Sequence, residues 1–211
     1  MRHFPSPPTV WAGEDPLILA SRSSSRRALL NAAGIGAEVV SPDIDERRVE
    51  ERYLAEGGSI DGVALRLAQV KAVSASLSCG QAFCLGADQT LTLGERLLHK
   101  PRDRAEAAHS LAALAGRTHR LTSAFCFARG GKPLIAESDT ADLHMRALDA
   151  REIARYLDLA GSTVLSSVGV YQLEGLGVHL FDRIEGDHAT ILGLPILKLL
   201  AWLRGQGLIA I

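Results

Sequence analysis

Phe83-Cys84-Leu85-Gly86-Ala87-Asp88-Gln89-Thr90 decides the fold, because an apolar run ends abruptly in a carboxylate, an amide and a hydroxyl. This pattern predicts a buried strand that delivers Asp88 to its C-terminal end. Ligands of α/β proteins bind at that end of the strands, so Asp88 is a candidate for chemistry. The alternative is that Asp88 caps a turn, since aspartate is common in turns.

The overall composition indicates a soluble globular protein. Its net charge creates no strong electrostatic field, positive or negative. Of the 211 residues, 47% are hydrophobic and 22% are charged, which is ordinary for a packed domain. The net charge of −1 gives no reason to expect binding to nucleic acid or to an anionic membrane. An anionic ligand would therefore have to be bound by a local group of residues and not attracted by the overall charge of the protein.

The chain ends and the cysteines favour a cytoplasmic protein. Residues 1–16 hold four of the eight prolines and lack a signal-peptide core, which predicts a disordered N-terminal extension. Residues 17–211 are expected to form a single domain with two lobes around a cleft. Pro195, charges and glycines interrupt the apolar C-terminal tail, so we expect a docked helix and no membrane span. Three cysteines without metal-binding spacing suit reduced thiols.

The first motif is a short apolar strand, Leu17–Ala20, that runs into a hydroxyl-rich turn and a helix. Ser21 and Ser23 lie in the turn, and Arg26 follows in the first helical turn. Free backbone N–H groups at a helix N-terminus, together with these hydroxyls and the arginine, predict an anion site. The alternative is an ordinary serine N-cap beside solvated arginines.

The next segment carries an acidic run and a helix. A short strand is expected over 38–41. It leads to Asp43-Ile44-Asp45-Glu46, which could bind a metal but is more often a solvated turn, and the charged stretch after it, through Gly57-Gly58, resembles a loop. Val63 to Ser76 has helical periodicity, and Lys71 lies on its apolar side. Such a lysine usually keeps its ammonium in water by snorkelling.

The remaining elements follow from turn and cap signals. A hairpin after Thr90 is expected to carry Lys100 back toward Asp88. Asp103 and Asp149 each open a helix that a glycine closes. Between these helices, residues 119–145 alternate as a long antiparallel ribbon, and a strand over 178–184 precedes the last helix.

Several motifs, in the right order from Leu17 to about Arg204, resemble the Maf family of nucleoside triphosphate pyrophosphatases. They are Leu-Ala-Ser-Arg-Ser from Leu19, Arg26, Asp-Ile-Asp-Glu ending at Glu46, Leu-Ala-Gln-Val-Lys-Ala from Leu67, Gly-Ala-Asp ending at Asp88, Lys100-Pro101, Glu174-Gly175 and Gly193-Leu194-Pro195. The resemblance implies an α/β fold with an elongated mixed β-sheet flanked by helices around a central cleft, similar to inosine triphosphatase. A homodimer is expected by the same likeness.

The resemblance also implies an activity and its residues. A nucleoside triphosphate would be hydrolysed to the monophosphate and pyrophosphate, as nucleotide-pool housecleaning. Asp88 would be the catalytic base, and Glu46 with Asp88 would hold a divalent metal, Mg²⁺ or Mn²⁺. The phosphates would be bound by a set of hydroxyls and cations: Ser21, Ser23, Arg26, Lys71 and Lys100.

Base preference is expected to depend on three positions where this chain departs from many family members. Ser25 replaces one of two paired arginines, Gln89 replaces a common threonine, and Glu174 replaces a common glutamine. These changes resemble the 7-methyl-GTP-hydrolysing branch more than the dTTP/UTP branch. The alternatives are a dTTP/UTP-preferring enzyme and a nucleotide-binding regulator of cell division without turnover. A nucleotidyl or phosphoryl transferase is disfavoured because the sequence has no Walker or kinase-type glycine loop.

Overall fold

The structure, a computed structural model, describes residues 9–211 and contains one mixed sheet with helices packed against it. The strands are β1 (Leu17–Ala20), β2 (Ala37–Val39), β3 (Cys84–Leu93), β4 (Arg96–Leu98), β5 (Thr118–Arg129), β6 (Lys132–Met145) and β7 (Phe181–Glu185). The helices are α1 (Ser24–Ala32), α2 (Glu46–Ala55), α3 (Val63–Ser78), α4 (Arg104–Leu114), α5 (Ala150–Ala160), α6 (His188–Ile191) and α7 (Ile196–Gly205). The expected α/β class with an elongated mixed sheet is confirmed.

Side-chain caps start most of the longer helices. Ser23, Asp45 and Asp103 each accept a hydrogen bond from a backbone N–H of the first turn of α1, α2 and α4. Asp149 and Glu152 form a reciprocal capping box at α5. These caps satisfy N–H groups that have no partner within the helix, so local sequence is sufficient to set where each helix begins.

The strand order leaves an opening beside the middle of β3. The sheet runs β2-β1-β3-β5-β6-β7, and β4 pairs separately with β3. Strand β1 pairs in parallel with β3 as far as Gly86, and β4 pairs antiparallel with β3 only from Leu91 onward. Along the same edge, no strand within residues 9–211 pairs with residues 88–90, whereas β5 pairs with them on the other side. This gap is the floor of the cleft.

Two apolar clusters lie on either side of this polar segment. One is formed around Leu85, Phe125 and Phe127, where α1 and α7 pack on the first half of β3. The other surrounds Leu91 and Leu121, where α4 and α5 pack near the hairpin. Because burial of apolar surface is the main stabilising term, the two clusters stabilise β3 on both sides of the polar residues that line the cleft.

Helix α3 approaches β3 unusually closely because residue 86 is a glycine. A Cβ atom at Gly86 would lie 2.2 Å from the carbonyl oxygen of Ala68 and 2.4 Å from the nitrogen of Ala72. Only a residue without a side chain fits between these backbones. The contact places Lys71, on α3, beside Asp88, two residues beyond Gly86.

Four expectations from the sequence need correction. Asp88 lies in the middle of β3 and not at its end, because the strand continues through Leu93 into the hairpin. The charged stretch after Asp45 is helix α2, which Asp45 caps. The expected strand over 178–184 starts later, because 176–180 form a 3-10 helix before β7. The expected strand at 38–41 is observed at 37–39.

The expected loose extension through residue 16 is not loose in its second half. Residues 1–8 lie outside the described residues. Val10 donates to the carbonyl of Gly34 at 2.9 Å and accepts from Ala210 at 2.9 Å, and Trp11 bridges to Ile209. This part of the N-terminal segment is therefore tied to the C-terminal end. Across residues 9–211, no helix has both the length and the apolar character to cross a bilayer.

Candidate active site

The gap beside β3 opens into a cleft of about 610 Å³. Its walls come from the first turn of α1, from α2 and α3, from the end of β4 and from the segment 166–174. All of the site residues expected from the sequence line it: Ser21, Ser23, Ser25, Arg26, Glu46, Lys71, Asp88, Gln89, Lys100 and Glu174. The fold thus gathers residues from distant parts of the chain into one concave site.

An ion-pair triad occupies the floor of the cleft. The ammonium of Lys71 donates to Oδ2 of Asp88 and lies 2.8 Å from Oε1 of Glu46. Lys71 and Asp88 are both buried, whereas about half of the Glu46 side chain, 53%, is exposed. The snorkelling alternative for Lys71 is therefore wrong, because its charge is paired inside the cleft. The other oxygen of Asp88, Oδ1, accepts the backbone N–H of Gln89 at 2.6 Å.

Arg26 is a buried brace beside this triad. Its Nε donates to the carbonyl of Gly193 at 2.8 Å, and its Nη1 donates to the carbonyl of Ala87 and the hydroxyl of Ser21 at 2.8 and 2.9 Å. Burial lowers the pKa of the guanidinium, and the charges of Asp88 and Glu46 oppose that change. Arg26 therefore joins α1, β3 and the loop before α7 in one fixed arrangement.

Gln89 is also engaged by the protein itself. Its amide nitrogen lies 2.9 Å from the hydroxyl of Ser123 and 3.1 and 2.9 Å from the carbonyls of Thr190 and Ile191. These acceptors take the two N–H donors of the amide. Only the amide oxygen of Gln89 is left to meet a ligand, so the side chain ties β3 to β5 and α6.

The far wall of the cleft contains Glu174. Oε1 of Glu174 accepts from the hydroxyl of Ser25 at 3.4 Å, which brings two of the expected base-contacting residues together. Val170, a buried residue behind this wall, has a φ of 61°, a strained conformation for a β-branched residue. Its neighbour Tyr171 hydrogen-bonds to His119 at 2.7 Å, and burial raises the pKa of the Tyr171 hydroxyl.

The sequence did not point to a cluster of charged and titratable residues that also lines the cleft: Arg47, Glu50 and His99. Glu50 is the buried residue of α2. Its Oε1 lies 3.4 Å from Nη1 of Arg47 and 3.5 Å from Nε2 of His99. Assigning 46–55 to a helix would have revealed Glu50, because Glu46 and Glu50 are four residues apart and so lie on the same helix face.

The sequence matches a protein family and is similar to several named proteins. A family model described as "Maf-like protein" matches residues 16–206. A "Nucleoside triphosphate pyrophosphatase" of Rhodopseudomonas palustris (strain HaA2) is 53% identical over 203 residues, which cover 96% of this chain and 99% of the relative. A "7-methyl-GTP pyrophosphatase" of Rhizobium etli is 49% identical over 193 residues, covering 92% and 97%.

Similarity to solved structures is weaker. A nucleoside-triphosphatase, dITP/XTP pyrophosphatase, from Mycobacterium abscessus is 18% identical and covers 92% of this chain and 96% of its own, with a TM-score of 0.40. This likeness is too low to support an argument about function. The match of the family model over nearly the whole chain, together with relatives that share about half of its residues, confirms the resemblance noted in the sequence. The chain belongs to the Maf-like protein family.

Proposed function

We propose that the protein is a nucleoside triphosphate pyrophosphatase, which hydrolyses its substrate between the α- and β-phosphates to a nucleoside monophosphate and pyrophosphate. The observation that carries this proposal is the triad of Asp88, Lys71 and Glu46 on the floor of a cleft large enough for a nucleotide. Family membership and the names of the relatives support the same reaction.

Asp88 is the general base in this mechanism. Its carboxylate takes a proton from a water molecule as the water attacks the α-phosphorus, and the bond to the bridging oxygen of pyrophosphate breaks. The N–H of Gln89 and the ammonium of Lys71 hold the two oxygens of Asp88, so the base has a fixed orientation. Lys71 stabilises the charge that develops on the phosphate oxygens.

The phosphates are bound by the first turn of α1 and by Lys100. The N-terminus of α1 directs backbone N–H groups and the positive end of its dipole into the cleft, beside Ser21 and Ser23. Lys100 follows β4 and is exposed, so its ammonium is available to a ligand. Arg26 acts here mainly as a positioning residue, because its Nε and Nη1 donate to protein acceptors.

The carboxylates fit a divalent cation that arrives with the substrate. Glu46 and Asp88 both approach the same ammonium, so their oxygens face one point. Among residues 9–211, no group of three His, Cys, Asp or Glu side chains is placed to hold a metal. Mg²⁺ is commonly held by one or two carboxylates plus substrate phosphates, which matches this pair. A bound Mg²⁺ or Mn²⁺ would neutralise phosphate charge.

Glu174 is proposed to select the base, with 7-methyl-GTP preferred. Guanine offers N1–H and an exocyclic amino group side by side, which one carboxylate can accept together, and N7 methylation adds positive charge. Uracil and thymine would instead set a carbonyl oxygen against Glu174, at a cost of about 1–3 kcal/mol. The hydroxyl of Ser25 donates to the Glu174 carboxylate at 3.4 Å.

A panel of nucleoside triphosphates, including 7-methyl-GTP, GTP, UTP and dTTP, tests the proposal. Release of pyrophosphate with the monophosphate is expected. Release of orthophosphate with the diphosphate would refute the assigned bond cleavage, and nucleotide binding without any product would favour the regulator. Assembly as a homodimer and a cytoplasmic location stay predictions, to be measured by light scattering and by fractionation of cells.

A further inference from the structure

Arg47, Glu50 and His99 form a polar cluster at the α2 end of the cleft that the mechanism above does not use. Glu50 is 9% exposed on a helix whose other residues are more accessible. A buried carboxylate is costly unless it is paired, and its partner here is the guanidinium of Arg47, which also donates to the imidazole of His99. The cluster therefore fixes the position of Arg47 at the edge of the cleft.

The guanidinium of Arg47 contacts other side chains through two of its nitrogens, and its third nitrogen is free to bind a ligand. Its Nη1 contacts Glu50 and donates to Nε2 of His99, and its Nε lies 3.1 Å from Oε1 of Glu51. Within residues 9–211, its Nη2 makes no hydrogen bond, and 58% of the side chain is exposed. A planar guanidinium held in this way offers its free edge to an oxyanion.

The substrate needs a further cation at this place. A nucleoside triphosphate carries about four negative charges, most of them on its two terminal phosphates. Lys71 is shared by two carboxylates, and Arg26 donates to protein acceptors. Arg47 contacts His99, which directly precedes Lys100, the exposed lysine of the expected set, and all three residues line the cleft.

The order of the contacts along the cleft indicates which end would hold the base of the substrate and which end its terminal phosphates. Ser25 and Glu174 lie at the α1 wall, and Arg26 links α1 to Ala87, beside Asp88. From Asp88 the contacts continue through Lys71 to Glu46 and, one turn along α2, through Glu50 to His99. With the base at Glu174 and the α-phosphate at Asp88, the terminal phosphates reach the Arg47 end.

We infer that Arg47, held in place by Glu50 and His99, binds the β- and γ-phosphates and then the pyrophosphate product. The inference rests on the proposed function for the direction of the substrate. It adds a ligand of the leaving group and assigns Glu50 as the residue that positions it. The competing interpretation is that Arg47 only forms a solvated ion pair with Glu51 along α2.

Binding of the two products to single variants separates these interpretations. Arg52 is the matched control, because it lies on the same helix and pairs with Glu56 at the same spacing but does not line the cleft. Calorimetry with Mg²⁺ present would measure inorganic pyrophosphate and, separately, GMP. Arg47→Ala is expected to weaken pyrophosphate binding by about 10-fold or more and to leave GMP within about twofold. Arg52→Ala should change neither affinity.

Glu50→Gln is the second variant, since it keeps the size of the side chain and removes the charge that holds Arg47. It should weaken pyrophosphate binding in the same direction, by a smaller factor. Unchanged pyrophosphate affinity in Arg47→Ala, equal losses for both products, or no pyrophosphate binding by the native protein would overturn the inference. These measurements do not require turnover, so failure of the proposed reaction in the substrate panel would be seen separately.

Discussion

The ammonium of Lys71 donates a hydrogen bond to Oδ2 of Asp88, and this pair connects helix α3 to the middle of strand β3. The pair is fixed by the close approach of α3 to Gly86, where the helix backbone lies almost against the strand. Glu46 adds a second carboxylate to the same ammonium from α2. The geometry of the candidate base is therefore a product of helix-to-sheet packing, and both the packing and the base can be tested.

Gly86→Ala should disturb the fold and the site together. Its new Cβ would lie 2.2 Å from a backbone oxygen of α3, and backbone atoms cannot move aside as a flexible side chain can. We expect a loss of about 1–3 kcal/mol in the free energy of unfolding, with lower turnover in the folded fraction. Urea denaturation and steady-state kinetics measure both. Gly36→Ala, at a glycine with nothing near its Cβ, is the control and should be tolerated.

Asp88→Asn should abolish most of the turnover without unfolding the protein. The amide oxygen can still accept the N–H of Gln89, but the charge that takes the proton is gone. We expect kcat to fall by roughly 100-fold or more. The melting temperature should show that the variant is folded. Turnover close to that of the native protein would mean that Asp88 is a structural residue.

Removal of divalent metal should abolish pyrophosphate release, and Mg²⁺ or Mn²⁺ should restore it. Hard oxygen ligands such as Glu46, Asp88 and phosphate oxygens favour these ions. Activity would be measured after treatment with excess chelator and again after each ion is added back. Full activity in chelator would exclude Glu46 from a metal-binding role and leave Lys71 and Lys100 to neutralise the phosphates alone.

Glu174→Gln should shift the preference from 7-methyl-GTP toward UTP and dTTP. An amide offers one donor and one acceptor, which suits the pyrimidine edge, and the variant keeps the size of the side chain. We expect the ratio of kcat/KM values to change by about 10-fold or more. Gln89 should be left unchanged in this test, because its amide nitrogen supports β5 and α6. An unaltered ranking of substrates would remove Glu174 from base selection.

The buried imidazole of His119 should make the protein less stable in mild acid. Burial lowers the pKa of His119 from 6.5 to about 4. Between these two pH values the unfolded chain binds a proton at His119 and the folded chain does not. The contribution of His119 to the free energy of unfolding is therefore fully present above pH 6.5. It should decrease toward pH 4 by at most about 3 kcal/mol.

Urea denaturation of the native protein and of His119→Gln, measured across this pH range, checks the effect of His119. The difference between the two proteins isolates the histidine from carboxylates that titrate in the same range. Parallel curves would contradict the assignment. The hydrogen bond between His119 and Tyr171 means that the variant is expected to start from a lower stability at neutral pH.

Much of the fold could be predicted from neighbouring residues. Ser23, Asp103 and Asp149 mark helix starts in the sequence, and the structure has helices there. The strand at Leu17–Ala20 and the ribbon around Arg129 also appear as expected. Helix α2 was missed because its charged residues leave Glu50 as its buried member, so no apolar periodicity is visible.

For the candidate site, too, the sequence predicts which residues take part but not which distant residues they contact. The residue types around Asp88, with Lys71 and Glu46, were sufficient to expect a nucleotide site, and all of these side chains do line one cleft. The partners of each side chain could not be predicted in this way. Arg26 was expected to bind phosphate, yet its Nε and Nη1 donate to acceptors as far away in sequence as Gly193.

The sequence by itself determined the helix caps, the alternation of the strands and the presence of a carboxylate among apolar residues, because these depend on residues a few positions apart. Only the tertiary structure decided that Lys71 is shared between Asp88 and Glu46, and that Gln89 meets Ser123 and Thr190, 34 and 101 residues further along. Hydrogen bonds and ion pairs require approach within about 3 Å. For residues so far apart in the chain, that approach is set by the pairing of β3 with β5 and by the packing of α3 and α6.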